Sequence, residues 1–133
     1  MSPKLSILLI FGIVLGFPNL SSCQNWSTFQ QKHIRPSSIS CKTEMNQSLF
    51  YVSGNCKTVN TFILASASTV QAICSGTTGN QLVTSPTTFT LNDCRYQSGS
   101  PGSCVHGFQS FTSKICITCE NKLPVHFAKS TVC

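Results

Sequence analysis

Apolar positions in this chain form one continuous run near the start and short, interrupted stretches after it. Residues 5–17 are almost wholly apolar, follow Lys4 and are broken by Pro18. Small residues Ser21-Ser22-Cys23 come next. This is the layout of a secretory signal peptide cleaved after Cys23, and the run is too short to cross a bilayer comfortably as a helix. Residues 1–23 are therefore expected to be removed. Residues 24–133 are expected to form one secreted domain. Its new N-terminal residue, Gln24, would cyclise to pyroglutamate.

Beyond the leader, Trp26, Phe29, His33 and Ile34 recur at helical spacing and predict one amphipathic face. Asn25 or Ser27 is positioned to cap that helix, and Pro36 to stop it. Weaker helical patterns cover residues 39–47 and 66–74. Thereafter the pattern favours strands, over residues 61–64, 81–84, 87–96, 114–120 and 125–128. In the third of these, alternation puts Phe89, Leu91 and Asp93 on one face. Residues 98–102, Ser-Gly-Ser-Pro-Gly, form a turn. Helices first and strands later, with no repeat and no linker, predict an α+β domain.

Cysteines change the picture. Nine occur in the chain, and loss of Cys23 leaves eight, an even number that in a short secreted chain reads as four disulfides. Spacing alone leaves about 105 pairings open. Cys116-Ile117-Thr118-Cys119 has the spacing of a zinc or redox motif, but no second pair completes a metal site. Two structural half-cystines with different partners is the better reading. Charge adds a direction. The net charge is +6, and the expected mature chain holds eight basic residues against Glu44, Asp93 and Glu120. Such a protein favours polyanions: nucleic acid, sulfated glycans or anionic membranes. Two Asn-x-Ser sequons stand at Asn25 and Asn46. Asn46 is the better glycan acceptor, because Asn25 abuts the first helix.

The candidate chemistry lies in three segments far apart in the chain: Gln31-Lys32-His33-Ile34, Cys56-Lys57-Thr58-Val59-Asn60-Thr61-Phe62 and Pro124-Val125-His126-Phe127. Two histidines can exchange protons near neutral pH, a lysine can meet developing negative charge, and a threonine can both donate and accept at a base edge. Taken alone, His33 would be a satisfied core histidine and Lys57 a solvated one. His106, in a Gly-rich stretch, reads as a surface histidine.

With Leu91-Asn92-Asp93-Cys94, Cys116-Ile117-Thr118-Cys119-Glu120-Asn121 and the N-terminal segment from Gln24 to Ile34, these motifs resemble the pancreatic-type ribonuclease superfamily, and its amphibian branch in particular. That branch is marked by the lack of a cysteine pair between Cys74 and Cys94 and by a pair formed with the terminal Cys133. The resemblance implies a kidney-shaped, disulfide-stapled α+β fold of three helices and twisted antiparallel sheets. It implies the pairing Cys41–Cys94, Cys56–Cys104, Cys74–Cys119 and Cys116–Cys133. The first three close long loops, each worth at most roughly 4 kcal/mol in the chain-entropy model.

The same resemblance implies a monomeric endoribonuclease that cleaves single-stranded RNA after pyrimidines, using neither metal nor cofactor. His33 is the implied base, His126 the acid, and Lys57 the donor to the phosphorane. Thr61, oriented by Asp93, and Phe127 would hold the pyrimidine. Glu120 would meet the following base, and Lys32 a phosphate. The loop 75–81 and the segment 96–113 lack the lysines of some relatives, which would weaken binding to RNA or to anionic cell-surface glycans. The alternative is a sialic-acid lectin or a cationic host-defence protein on the same fold.

Overall fold

The computed structural model describes residues 25–133, so the expected leader and Gln24 lie outside the described residues. Helix α1 (Trp26–His33) begins where Asn25 turns extended and its Oδ1 accepts from the Thr28 amide at 2.9 Å, an N-cap bond. Phe29 is buried and Trp26 stacks on it. Ile34 does not continue the helical face as expected. It opens strand β1 (Ile34–Arg35), which pairs in parallel with Ile63 and Leu64. Arg35 precedes Pro36, whose ring disfavours the helical region for its neighbour, and a β-branched residue at position 34 joins a sheet readily.

The second helix is shorter than residues 39–47. Helix α2 (Cys41–Glu44) is a single turn capped by Ser40, and a 3-10 turn (Ser48–Phe50) follows. The buried Oδ1 of Asn92 accepts from the Ile39 amide at 3.1 Å and the Ser38 hydroxyl at 3.2 Å, holding the approach to α2 outside the helix. Helix α3 (Ala67–Gln71) is capped by Ser66 and runs into a 3-10 turn (Ala72–Cys74). Together they fill the expected span.

The strands form three sheets. A small ribbon pairs β2 (Tyr51–Val52) with β3 (Asn55–Cys56). A four-stranded sheet has the order β1, β4 (Val59–Leu64), β6 (Phe89–Ser98), β7 (Val105–Ser113). A three-stranded antiparallel sheet has the order β9 (Leu123–Lys129), β8 (Cys116–Glu120), β5 (Asn80–Thr84). Strand β7 was not expected, because it lies at a sheet edge and carries few buried apolar residues to mark a period. Its register comes instead from the long β6 beside it. Between them Gly99 has φ +91, and a Cβ there would strike the Ser103 carbonyl, so this turn requires glycine.

The central sheet is buried on both sides. Ile63 and Leu91 enter one cluster with Phe29, Val70, Ile115 and Ile117, while Phe62 and Cys94 enter a second with Met45 and Phe50. Alternation along β4 and β6 thus feeds two cores. Fully burying a Phe or Ile contributes about 1.5–3 kcal/mol, so both faces of β4 are anchored directly after Thr61. Disulfides join Cys41–Cys94, Cys56–Cys104, Cys74–Cys119 and Cys116–Cys133. The two cysteines of the C-x-x-C segment therefore go to different partners. No helix among the described residues is long and apolar enough to cross a membrane.

Asn46, expected to be the better glycan acceptor, has its amide occupied. Nδ2 donates to the carbonyls of Lys42 and Cys104 at 2.8 and 3.1 Å, and Oδ1 accepts from the Cys104 amide at 2.6 Å. A glycan on that nitrogen would displace bonds that tie α2 to the start of β7. Asn25 is exposed, and its cap bond is made through Oδ1.

Candidate active site

A cleft of about 320 Å³ lies between the end of α1, the start of β4 and the middle of β9. His33, Lys32, Lys57, Thr61, His126 and Phe127 all line it, together with Asn60. All but Lys57 lie on three packed elements, α1 against β4 and α1 against β9.

His33 ends α1. Its ring packs between Phe29, at 5.1 Å, and Phe127, at 5.3 Å and nearly parallel. Nδ1 is 2.8 Å from the Thr61 carbonyl. A carbonyl only accepts, so Nδ1 carries the proton and the neutral ring has a bare Nε2. Burial lowers the His33 pKa from 6.5 to about 3. The Thr61 bond works against that shift, while Lys57, Lys32 and His126 add to it by repelling a second positive charge.

Lys57 sits between β3 and β4, next to the disulfide-bonded Cys56. Its Nζ donates to Asn60 Oδ1 at 2.8 Å, and Asn60 Nδ2 donates to the Lys32 carbonyl at 2.8 Å. Asn60 is buried, so one amide locks the ammonium to the last turn of α1. Burial, and secondarily Lys32, lower the Lys57 pKa to about 8. His126 stands on β9 opposite Thr118, exposed beside the irregular register at Pro124.

Thr61 Oγ1 donates to Asp93 Oδ1 at 2.6 Å, with both residues buried. Asp93 is not in the cleft lining; it stands behind Thr61 as its register partner and is paired through Oδ2 with Arg95 at 3.1 Å. Arg95 was missed in the sequence, although residues 93 and 95 of a strand share a face. Glu120 also lies outside the lining. It ends β8, opposite Asn80 and Leu123. Phe62 is fully buried against Phe50, with the Arg35 guanidinium 4.9 Å from its ring centre, and so serves the core. His106 is not a loop residue on the surface. It lies in β7 opposite Tyr96, and its Nε2 is 2.7 Å from the Lys57 carbonyl. Among the described residues no cluster of three or more His, Cys, Asp or Glu could hold a metal ion.

Fold and cleft together define a class: a disulfide-stapled α+β domain with two histidines and two lysines lining one cleft. The chain belongs to the pancreatic ribonuclease family, whose pattern matches residues 24–128. It is 51% identical to an oocyte ribonuclease of Aquarana catesbeiana, over 92% of each chain. It is 39% identical to protein P-30 of Lithobates pipiens, over 78% of this chain and 94% of that protein. The structure resembles amphinase, a cytotoxic ribonuclease from Rana pipiens oocytes, with a TM-score of 0.73 and 35% identity over 81% of this chain and 98% of that one. It also resembles a cytotoxic ribonuclease of Rana catesbeiana crystallised with d(ApCpGpA) and (2′,5′CpG), at a TM-score of 0.70 and 38% identity, covering 79% of this chain and 94% of that one. The protein is thus an endoribonuclease of the amphibian branch, and RNA is its substrate.

Proposed function

We propose that this protein is a secreted, monomeric endoribonuclease that cleaves single-stranded RNA after pyrimidines through a 2′,3′-cyclic phosphate. The His33–Thr61 bond carries the reading, because it keeps the neutral imidazole in the tautomer whose Nε2 can take a proton. In transphosphorylation His33 removes the 2′-OH proton, the 2′-oxygen attacks phosphorus, and the P–O5′ bond breaks as His126 protonates the leaving oxygen. Lys57 donates to the non-bridging oxygens as the phosphorane forms. Hydrolysis of the cyclic ester reverses the two histidine roles, with water as nucleophile. A bound phosphate offsets the repulsion from Lys57 and Lys32, which raises the proton affinity of His33 toward the range useful in a base.

Thr61 would select the base, with Phe127 as the wall of its pocket and Lys32 as a phosphate contact. With its hydroxyl donated to Asp93, Thr61 Oγ1 is an acceptor toward the cleft, which suits the N3–H of uracil. Cytosine N3 accepts, so Thr61 would have to turn and leave a buried carboxylate without its 2.6 Å bond. Uridine should therefore be cleaved faster than cytidine. Replacing Asp93 by alanine should reduce that preference by about tenfold, the equivalent of one hydrogen bond. Rates on UpG and CpG for both proteins check this; an unchanged ratio would sink the role of Asp93. Glu120, outside the cleft lining, is assigned to the base on the 3′ side.

The leader and the even cysteine count support secretion, with pyroglutamate formed from Gln24. Intact mass after alkylation tests both, since a free thiol or a different N-terminus contradicts them. The decisive experiment is digestion of a uridine-containing oligonucleotide with and without chelator, with products read by mass. A cyclic phosphate formed at equal rates in both is expected. Activity lost to chelator and restored by a divalent ion would overturn the mechanism. A protein that only bound sialic acid or served as a cation would have no use for two histidines and a lysine around one cleft.

A further inference from the structure

Leu82 is the most exposed large apolar side chain among the described residues, at 59%, and it joins neither hydrophobic core. Its place follows from the three-stranded sheet. Ile117 and Cys119 of β8 are buried in the core, so alternation turns Thr118 and Glu120 to the other face. Leu82 on β5 and His126 on β9 are both register partners of Thr118. These three side chains therefore form one row across that face. The next row holds Asn80, Glu120 and Leu123. His126 lines the cleft, so the two rows continue the cleft beyond it. We propose that Leu82 is a substrate contact for the nucleotide on the 3′ side of the cleaved bond. Its side chain forms, with Thr118, the floor under that base while Glu120 meets the base edge; this rests on the roles given to His126 and Glu120 above.

The path of the substrate supports this. His33 touches both Phe127 and the Thr61 carbonyl, so the pyrimidine pocket lies on the His33 side of the cleft. The leaving nucleotide starts instead at the oxygen that His126 protonates. From His126 across Thr118 to Leu82 is two strand spacings, about 10 Å, which is room for a base laid on the sheet. A base has an apolar face and a polar edge. Leu82 has no polar atom and most of its surface is still in water, so covering it with the base face is favourable. Glu120, one row along, offers carboxylate acceptors to the edge. Strand β5 is at the edge of its sheet, and both of its ends are tied. Lys122 Nζ donates to the Thr77 carbonyl at 2.7 Å in the loop before it, and the Cys133 amide donates to Thr84 Oγ1 at 2.9 Å. The floor is thus fixed before RNA arrives, which lowers the ordering cost of binding.

The test measures kcat/KM of Leu82→Ala, Leu82→Thr and Leu82→Phe on UpG and on uridine 3′-(methyl phosphate), a diester with no base on the 3′ side. Each variant is compared with the wild type on the same substrate, per folded molecule by near-ultraviolet dichroism. Leu82→Ala and Leu82→Thr should lower the UpG value about fivefold and leave the methyl ester unchanged. Leu82→Phe, whose ring can stack on a base, should keep the UpG value at or above that of the wild type. Full UpG activity in both Leu82→Ala and Leu82→Thr would overturn the proposal. So would an equal loss on both substrates, which marks damage to the cleft and not a lost base contact. Two further variants test the roles beneath the proposal. If Glu120→Gln leaves the ratio of UpG to UpA cleavage unchanged while Leu82→Ala keeps its selective loss, the role of Glu120 fails and that of Leu82 stands. His126→Ala should lose far less activity on uridine 3′-(4-nitrophenyl phosphate), whose leaving group needs no proton, than on UpG. Equal losses there would refute His126 as the acid, and the Leu82 result is still decided by its own pair of substrates.

Discussion

Replacing His33 by alanine should lower kcat/KM by about 10²–10⁴, the range for removing a positioned general base. The pH dependence carries the more specific expectation. In the proposed mechanism His33 works as a base when neutral, and its pKa in the free enzyme is lowered by burial to about 3. Activity in kcat/KM is therefore retained as pH falls below 6.5, the ordinary histidine value, and is lost only as pH approaches the lowered value. In the bound complex the phosphate raises this proton affinity, so the acidic limb of kcat should lie at higher pH than that of kcat/KM. Rate profiles from pH 3 to pH 8, with the His33 ring followed by NMR with and without a nucleotide phosphate, check both. An acidic limb of kcat/KM above 6.5 would contradict the burial argument.

Lys57→Ala should reduce kcat by at least about 10², by analogy with removing one oxyanion donor, with a much smaller change in KM. A donor that meets charge only as the phosphorane forms acts in the transition state. Wild-type activity should also fall on the alkaline side near the lowered Lys57 value of about 8, since burial favours the neutral amine. A lysine that merely attracted the RNA backbone would raise KM, leave kcat nearly intact and weaken the salt dependence of binding. Kinetics at two salt concentrations separate the two roles, and a KM-only effect would favour a binding protein. Both predictions rest on groups that the fold has partly desolvated, so effects in water-exposed analogues should be far smaller.

The three motif segments could be singled out from sequence because each pairs a reactive side chain with a local marker: a helix end for His33, a half-cystine for Lys57, a Pro-Val pair for His126. The helical spacing of Trp26, Phe29 and His33 and the alternation along residues 87–96 are periodic signals, and α1 and β6 are where they point. Those signals come from burial against one face. They failed where burial was not one-sided or not local. Strand β7 has an open edge and no alternation of buried and exposed positions, so its Val105, Phe108 and Phe111 mark no period, and His106 reads from sequence as a loop residue. The spacing of Ile34 fits a helix, yet a parallel partner at Ile63 decides otherwise.

What the sequence determined by itself was the inventory: two histidines and one lysine in separate motifs, a threonine and an aspartate on strands, and eight cysteines beyond residue 24. The tertiary structure decided which of these meet. Asn60 joins Lys57 to the end of α1, Asp93 lies behind Thr61 and holds Arg95, and Glu120 remains outside the cleft lining. It also decided protonation. The low pKa of His33 and the lowered one of Lys57 come from burial and from like charges brought near by folding, first Lys57 and Lys32 for the imidazole. Those interactions fall off steeply with distance and depend on the surrounding dielectric. Neither quantity exists along the chain until α1, β4 and β9 close around the cleft.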